Sequence, residues 1–492
     1  MTPFTKWRWL VLICLLFPCL QAQQPQVGAT RLQDLNAVKI EALQHSLSYQ
    51  YLGELSDGIG PRLTGSTQDA RAGQWALETM RAIGLRNVHP EPWKMEKGWH
   101  RGIARARLII PFPLDLTVAS YGWTGSTVLG GAEAGVLRVD SNALSKEAQE
   151  QSATWAGKIL LVTAKDPKAS DPLKTMSELP GFLETARMAG AVAVLHRDPR
   201  PGLVLAHTGP ILFPGRLSLL PVLDLAGEHE SLLIRMLESG KPARLRVEVQ
   251  NDFTPGAVVS NNIVGEIPGS EHPKQVVVLG AHLDSWDLGT GAIDDGFGVA
   301  AVLGAAKSIL SSRVTPKRTI RFILFTGEEQ GLLGSRAYTQ QHQAELNDLI
   351  CAIILDWGNG PITKFTLSGH GELAEPFTQF FAAIDKATSL SVGKGYLTYT
   401  DAFAFTLCGV PGIAALQDSP NYALVGHSAA DTFDKVDERI LAWDSALLAL
   451  SGIWVANDPT RVGTRWSPAE TIQRLEEQRA SLQALGLWPF PH

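Results

Sequence analysis

The sequence predicts an α/β fold: a mixed, mostly parallel sheet flanked by helices, with a smaller second domain inserted. Short apolar, β-rich runs, Val276 to Ala281, Arg318 to Thr326 and Leu349 to Leu355, read as strands buried in a sheet interior. Each gives way to a polar or Gly-rich loop and then to helical patterning, the alternation of a parallel α/β sheet. Between 118 and 254 the pattern changes to short strands around one clear helix, which marks the insertion.

The elements follow in chain order. Residues 1–22 read as an export signal: Lys6 and Arg8, the apolar run WLVLICLLFPCL, then cleavage after Ala22. That run is short for a bilayer span, so the mature chain is expected to be exported, periplasmic or secreted, with no stable membrane span. Its removal takes away Cys14 and Cys19. Cys351 and Cys408 remain, each in an apolar segment, and are expected as buried free thiols.

Residues 23–117 open the main domain, with a helix expected over Thr67 to Leu85 and strands near Val88 to Trp93 and Ile103 to Ile110. Inside the 118–254 insert, Val136 to Val139, Lys158 to Ala164, the helix FLETARMAGA and Val192 to His196 make a βαβ-like unit. The main domain resumes over 255–460 and closes with an apolar helix from Lys435 to Val455. The tail, 461–492, begins with a capping box, Ser467-Pro468-Ala469-Glu470. Ile472, Leu475, Leu482 and Leu485 then line up for a helix that docks on the chain or makes a homodimer. A net charge of −6 with no basic cluster gives no case for a nucleic-acid partner.

Chemistry concentrates where the strand-like runs end. His282 and Asp284 follow the first run, and Asp294 lies in the Gly-rich loop beyond it. Glu328 and Glu329 follow the second run, Asp356 the third, and His427 sits in GHSAADT. Carboxyl ends of parallel strands are where α/β proteins hold ligands. Two imidazoles and three carboxylates without thiolate suit zinc at an open, catalytic site. If Asp294 bridges two ions, three negative charges face four positive ones. Glu328 is left over as the carboxylate that could take a proton from water.

AHLDSWD, GAIDDG, GEEQG, the strand end at Asp356 and HSxxDT together resemble the co-catalytic zinc exopeptidases of the aminopeptidase Y and glutamate carboxypeptidase type. The likeness spans Ala281 to Thr432 and extends more weakly to IGPRLTGS near the start. It implies two zinc ions per chain: His282 and Asp356 on one, Glu329 and His427 on the other, Asp294 bridging. It implies Glu328 as general base, Asp284 orienting His282, a short peptide with a free amino end as substrate, and a protease-associated character for the insert. One departure is Gly426, where several of these enzymes carry Tyr directly before the last His; the group that helps the metals hold the oxyanion stays open.

Rival readings are weaker. Gly426-His427-Ser428-Ala429-Ala430 approaches a nucleophile elbow, but only His492 follows Ser428, so the Ser–acid–His order fails. His229-Glu230-Ser231-Leu232-Leu233 lacks the second His of HExxH. Asp295 is expected to cap a helix, Asp287 to support its loop, Asp431 and Ser428 to hold the His427 loop, and His370 to lie in a solvated loop. Two alternatives remain: a single-zinc acyltransferase of the glutaminyl-cyclase branch, and a binding protein on a dead peptidase scaffold.

Overall fold

A computed structural model describes residues 29–490 apart from 167, 169–170, 206–208, 210–214 and 385–389. The segment read as an export signal lies outside the described residues. Two eight-stranded sheets organise the chain. The first uses β1 (Arg86–Met95), β10 (Val258–Ile267), β11 (His272–His282), β12 (Arg318–Phe325), β13 (Leu349–Leu355), β14 (Ile362–Thr366), β15 (Ser391–Gly393) and β16 (Gly412–Gln417), in the order β1-β10-β12-β11-β13-β16-β14-β15. Its centre, β12-β11-β13-β16, is parallel, and antiparallel pairings flank it.

The second sheet takes β2 (Trp99–Ile110), β3 (Leu114–Leu116), β4 (Val118–Ser120), β5 (Ala132–Asp140), β6 (Lys158–Thr163), β7 (Ala193–Arg197), β8 (Val222–Leu225) and β9 (Arg244–Phe253), ordered β3-β2-β9-β5-β6-β7-β8-β4. Its β5 to β8 are parallel, with the helix Pro172–Met188 between β6 and β7. Residue 118 falls inside this sheet, between β3 and the rest of β4.

Local rules account for the elements. The helix Thr67–Ile83 starts where the Ser66 side chain accepts from Asp69 N and ends at Gly84, whose φ of 101° suits a residue without Cβ. Every residue of β13 is buried, as expected for a strand covered on both faces. One of those faces belongs to the helices Phe297–Ser312 and Glu438–Ala456, which share a core with Leu279, Ile353 and Ile413. Glu438–Ala456 is long and apolar enough to cross a membrane by composition, but 78% of that stretch is buried inside the fold. Cys351 and Cys408 are free thiols, the first buried and the second half-buried.

The tail departs from a single helix. It forms Pro468–Leu475 and Arg479–Ala484, separated by a tight turn over Glu476–Gln478. Leu475, Leu482 and Leu485 are buried against Leu332, Phe403 and Leu407 of the same chain, so the apolar stripe is used in docking. The break lets both short helices follow that curved surface.

Candidate metal centre

The centre forms at the carboxyl edge of β11, β12 and β13. Adjacent parallel strands bring His282, the Glu328–Glu329 turn and Asp356 to one level. Asp294 comes from the loop after β11, and His427 from the loop after the short helix Tyr422–Val425. All five predicted ligands, His282, Asp294, Glu329, Asp356 and His427, converge.

Asp294 lies in the middle. Its Oδ1 is 3.0 Å from His282 Nε2, and its Oδ2 is 2.9 Å from His427 Nε2. His282 Nε2 also lies 3.6 Å from Asp356 Oδ1, and His427 Nε2 lies 3.2 Å from Glu329 Oε2. Two clusters therefore share one carboxylate, each with one imidazole and one further acid. The Asp294–Asp295 peptide bond is cis.

Electrostatics favours a cation here. Burial alone would push His282 and His427 down. The charges of Asp356 on the first, and of Glu329 and Asp294 on the second, instead push both well above the usual histidine value. A field that favours a proton on each ring also favours a divalent ion between them. Glu329 Oε1 and Asp356 Oδ2 are buried with no hydrogen-bond partner among the described residues, an arrangement a bound cation would satisfy. The oxygen and nitrogen donors fit zinc.

Neighbouring groups fix the predicted ligands. His282 Nδ1 faces the backbone carbonyl of Asp284 at 3.0 Å, leaving Nε2 for the centre; the Asp284 carboxylate stands 3.6 Å away. That carboxylate accepts from Thr64 Oγ1 at 2.7 Å. Trp286 Nε1 donates to Glu329 Oε2 at 2.7 Å. Ser428 Oγ donates to Val425 O at 2.6 Å within the His427 loop, whereas the Asp431 carboxylate reaches out of that loop to the Asp294 turn, accepting from Ile293 N at 2.6 Å and Asp294 N at 3.2 Å.

Asp295 lies close enough to His282 and Asp356 to share a cation. It accepts instead from Gly298 N at 3.0 Å, at the start of the helix Phe297–Ser312, and from His282 N at 3.1 Å. Asp287 makes an ion pair with Arg101 of β2 at 2.8 Å. His370 corrects the sequence reading: it is 0% exposed, stacked nearly parallel on Trp466 with centroids 3.6 Å apart, because the segment before the tail helices covers its loop.

Glu328 differs from its neighbour. Its carboxylate makes no hydrogen bond or ion pair with any described residue, while its main-chain N is 3.4 Å from Asp284 Oδ1. Burial, then the charge of Asp356, pushes its carboxyl well above the usual range. Such a group is poised to accept a proton.

Three participants escaped the sequence reading. Tyr422 donates its hydroxyl to Asp294 Oδ2 at 2.6 Å. A Cβ at Gly426 would stand 3.0 Å from that ring, so the small residue before His427 makes room for it. Asp401 is buried near His282, its carboxyl pushed up to about 7 by burial. Arg200, from the loop after β7, donates to Gly426 O at 3.0 Å. Tyr422 and Asp401 do not directly end an apolar strand-like run, the signal that exposed His282, Glu328, Glu329 and Asp356; Arg200 does follow one, Val192 to His196, but its contact is with a distant loop.

An imidazole–carboxylate double cluster with a free carboxylate beside it, at a parallel sheet edge, defines a metallohydrolase. Residues 262–450 match the model of peptidase family M28. Carboxypeptidase Q of Bos taurus is 30% identical over 413 residues, 83% of this chain and 85% of that protein, and that of Mus musculus is 28% identical. A solved structure of a peptidase M28 precursor from Shewanella amazonensis SB2B aligns with TM-score 0.77 and 29% identity over 89% of this chain and 99% of that one. BSAP, a zinc aminopeptidase from Bacillus subtilis, shares the fold with TM-score 0.63 at 21% identity, over 86% and 97% of the two chains. The chain belongs to peptidase family M28 and is a metallopeptidase similar to carboxypeptidase Q.

Proposed function

We propose that this chain is an exported di-zinc exopeptidase that hydrolyses dipeptides and short peptides with a free amino end. One observation carries the two-metal reading: the oxygens of Asp294 face different imidazoles, each with its own further acid. His282 and Asp356 would hold one ion, His427 and Glu329 the other, with Asp294 between them. Zinc, when bound, supplies Lewis acidity to a water and to the scissile carbonyl.

The chain's own residues do the rest. Glu328 takes the proton from the attacking water and returns it to the leaving amine. The Tyr422 hydroxyl gives its one proton to Asp294 Oδ2 here; with that oxygen taken up by a metal, the proton would turn to the oxyanion, the role left open by Gly426. The surrounding carboxylates attract the ammonium group of an unblocked peptide. Trp286, packed on Trp123 in the loop between β4 and β5, and Arg200 at the His427 loop support a wall that limits substrate length. Export rests on the charged and apolar amino-terminal segment.

Elemental analysis of the purified chain, with cleavage of a free dipeptide, its N-acetyl form and a decapeptide, tests this reading. Two zinc ions per chain and preference for the free dipeptide are expected. One ion, or equal cleavage of the blocked substrate, would overturn the corresponding half.

A further inference from the structure

Arg62, in IGPRLTGS, is a buried cation beside the metal centre that the chemistry above does not use. It is 0% exposed, and no carboxylate among the described residues lies within ion-pair distance of it. Its donors go to backbone carbonyls. Nε donates to Leu283 O at 2.7 Å, Nη1 to Gly60 O at 3.1 Å and Thr290 O at 2.8 Å, and Nη2 to Gly291 O at 2.9 Å. Leu283 follows His282, and Thr290 and Gly291 stand just before the Asp294 turn. One planar guanidinium thus ties together both ends of the loop separating two ligands.

The main chain adds to this. Arg62 N donates to Ser285 Oγ at 3.1 Å, and Ser285 N donates to Arg62 O at 3.3 Å. Gly291 has φ +61°, and a Cβ there would meet Arg62 Nη2 at 2.9 Å. Burial lowers the guanidinium to about 10, so it stays charged near neutral pH, and Asp431 and Asp284 lie in its field.

We propose that Arg62 is a positioning residue that holds both ends of the 283–291 loop, keeping His282 and Asp294 at ligand spacing before any metal arrives. The proposal rests on the metal-centre reading, and its test separates the two. Lysine presents its donors at one point and cannot span carbonyls on both sides, so Arg62→Lys keeps the charge and removes the fork.

Arg318 is the control. It too is buried, though less completely, and donates to Ala456 O at 3.2 Å, Asp458 O at 2.6 Å and Thr460 O at 3.0 Å, but at the opposite end of β12. Zinc affinity by chelator competition, thermal midpoint, and hydrogen exchange of 283–294 in the metal-free chain are measured for wild type, Arg62→Lys and Arg318→Lys. Arg62→Lys should lose roughly 10–100-fold in zinc affinity, the range for removing a ligand-orienting partner. It should also speed exchange across 283–294; Arg318→Lys should lower the midpoint alone.

If Arg62→Lys does not fold, Arg62→Gly is refolded with methylguanidinium or methylammonium. Recovery with the first alone supports the clamp, and recovery with neither or both overturns it. Wild-type affinity and exchange in folded Arg62→Lys, or equal changes in Arg318→Lys, also overturn it. A wild-type chain that binds no zinc refutes the metal reading, while the exchange comparison still decides the clamp.

Discussion

Two adjacent glutamates show how neighbours divide the work. Glu329 is held by Trp286 and His427, whereas the Glu328 carboxylate has no hydrogen-bond partner among the described residues and is pushed up by burial. Glu328→Gln should leave zinc content intact and lower kcat by roughly two to four orders of magnitude; unchanged turnover would show that another group activates the water. His427→Ala should release chiefly one ion on mild chelation, and full retention of both would remove His427 from the ligand set. Tyr422→Phe keeps the ring and removes the donor. It should lower kcat by about 10²-fold, within the cost of losing one oxyanion donor, with a smaller change in KM. Equal losses in both would make the hydroxyl a substrate-binding group. His282, Glu329 and Asp356 were legible because each follows an apolar run, and Asp294 and His427 because they sit in family motifs. Tyr422, Arg62 and Asp401 sit in segments whose local composition predicts only turns or short helices; their roles arise from long-range closure.

Elements are tied by polar contacts as well as by the core. Glu91 on β1 accepts from His342, just after the helix Leu333–Gln341, at 3.0 Å, and meets His89 at 3.2 Å. The hydrogen bond it donates to Glu91, outweighing burial, raises His342 above its ordinary 6.5, with Glu345 adding to the rise and Arg321 opposing it. Burial would raise Glu91, but the two imidazoles hold it below its ordinary 4.5. A raised histidine stabilises fully below its unfolded value and loses that stability as pH climbs through the folded one. A lowered carboxylate stabilises above its unfolded value and loses that as pH falls through the folded one. The clasp is therefore strongest between about 4.5 and 6.5. Glu91→Gln should cost about 0.5–1 kcal/mol in that window, less above it, read from thermal midpoints across pH. A flat difference would mean that the contact carries no charge component. At this scale the parallel strands and the closing helix were legible from hydrophobic runs and caps. The break in the tail was not, because the surface it follows is assembled from distant residues.

The relation between the two sheets is a property of the whole molecule, written in no local stretch of sequence. Leu63, Trp93, Met95, Trp99, Trp123 and Trp286 make one buried cluster drawing on both sheets. Trp286 lies within the 283–291 loop and donates to Glu329, so packing from the second sheet reaches a predicted ligand through one side chain. Arg101 of β2 pairs with Asp287 on the same loop, their side chains only 9% and 17% exposed. Removing one member of such a pair strands the other charge in a poorly solvated place. Arg101→Met should therefore loosen the second sheet against the metal loop while leaving the ligands in place. If the second sheet limits substrate length, kcat/KM for a decapeptide relative to a dipeptide should rise several-fold in this variant, with zinc content unchanged. A constant ratio, with dipeptide turnover also constant, would reduce the second sheet to a packing partner and leave the length limit to the catalytic loops themselves.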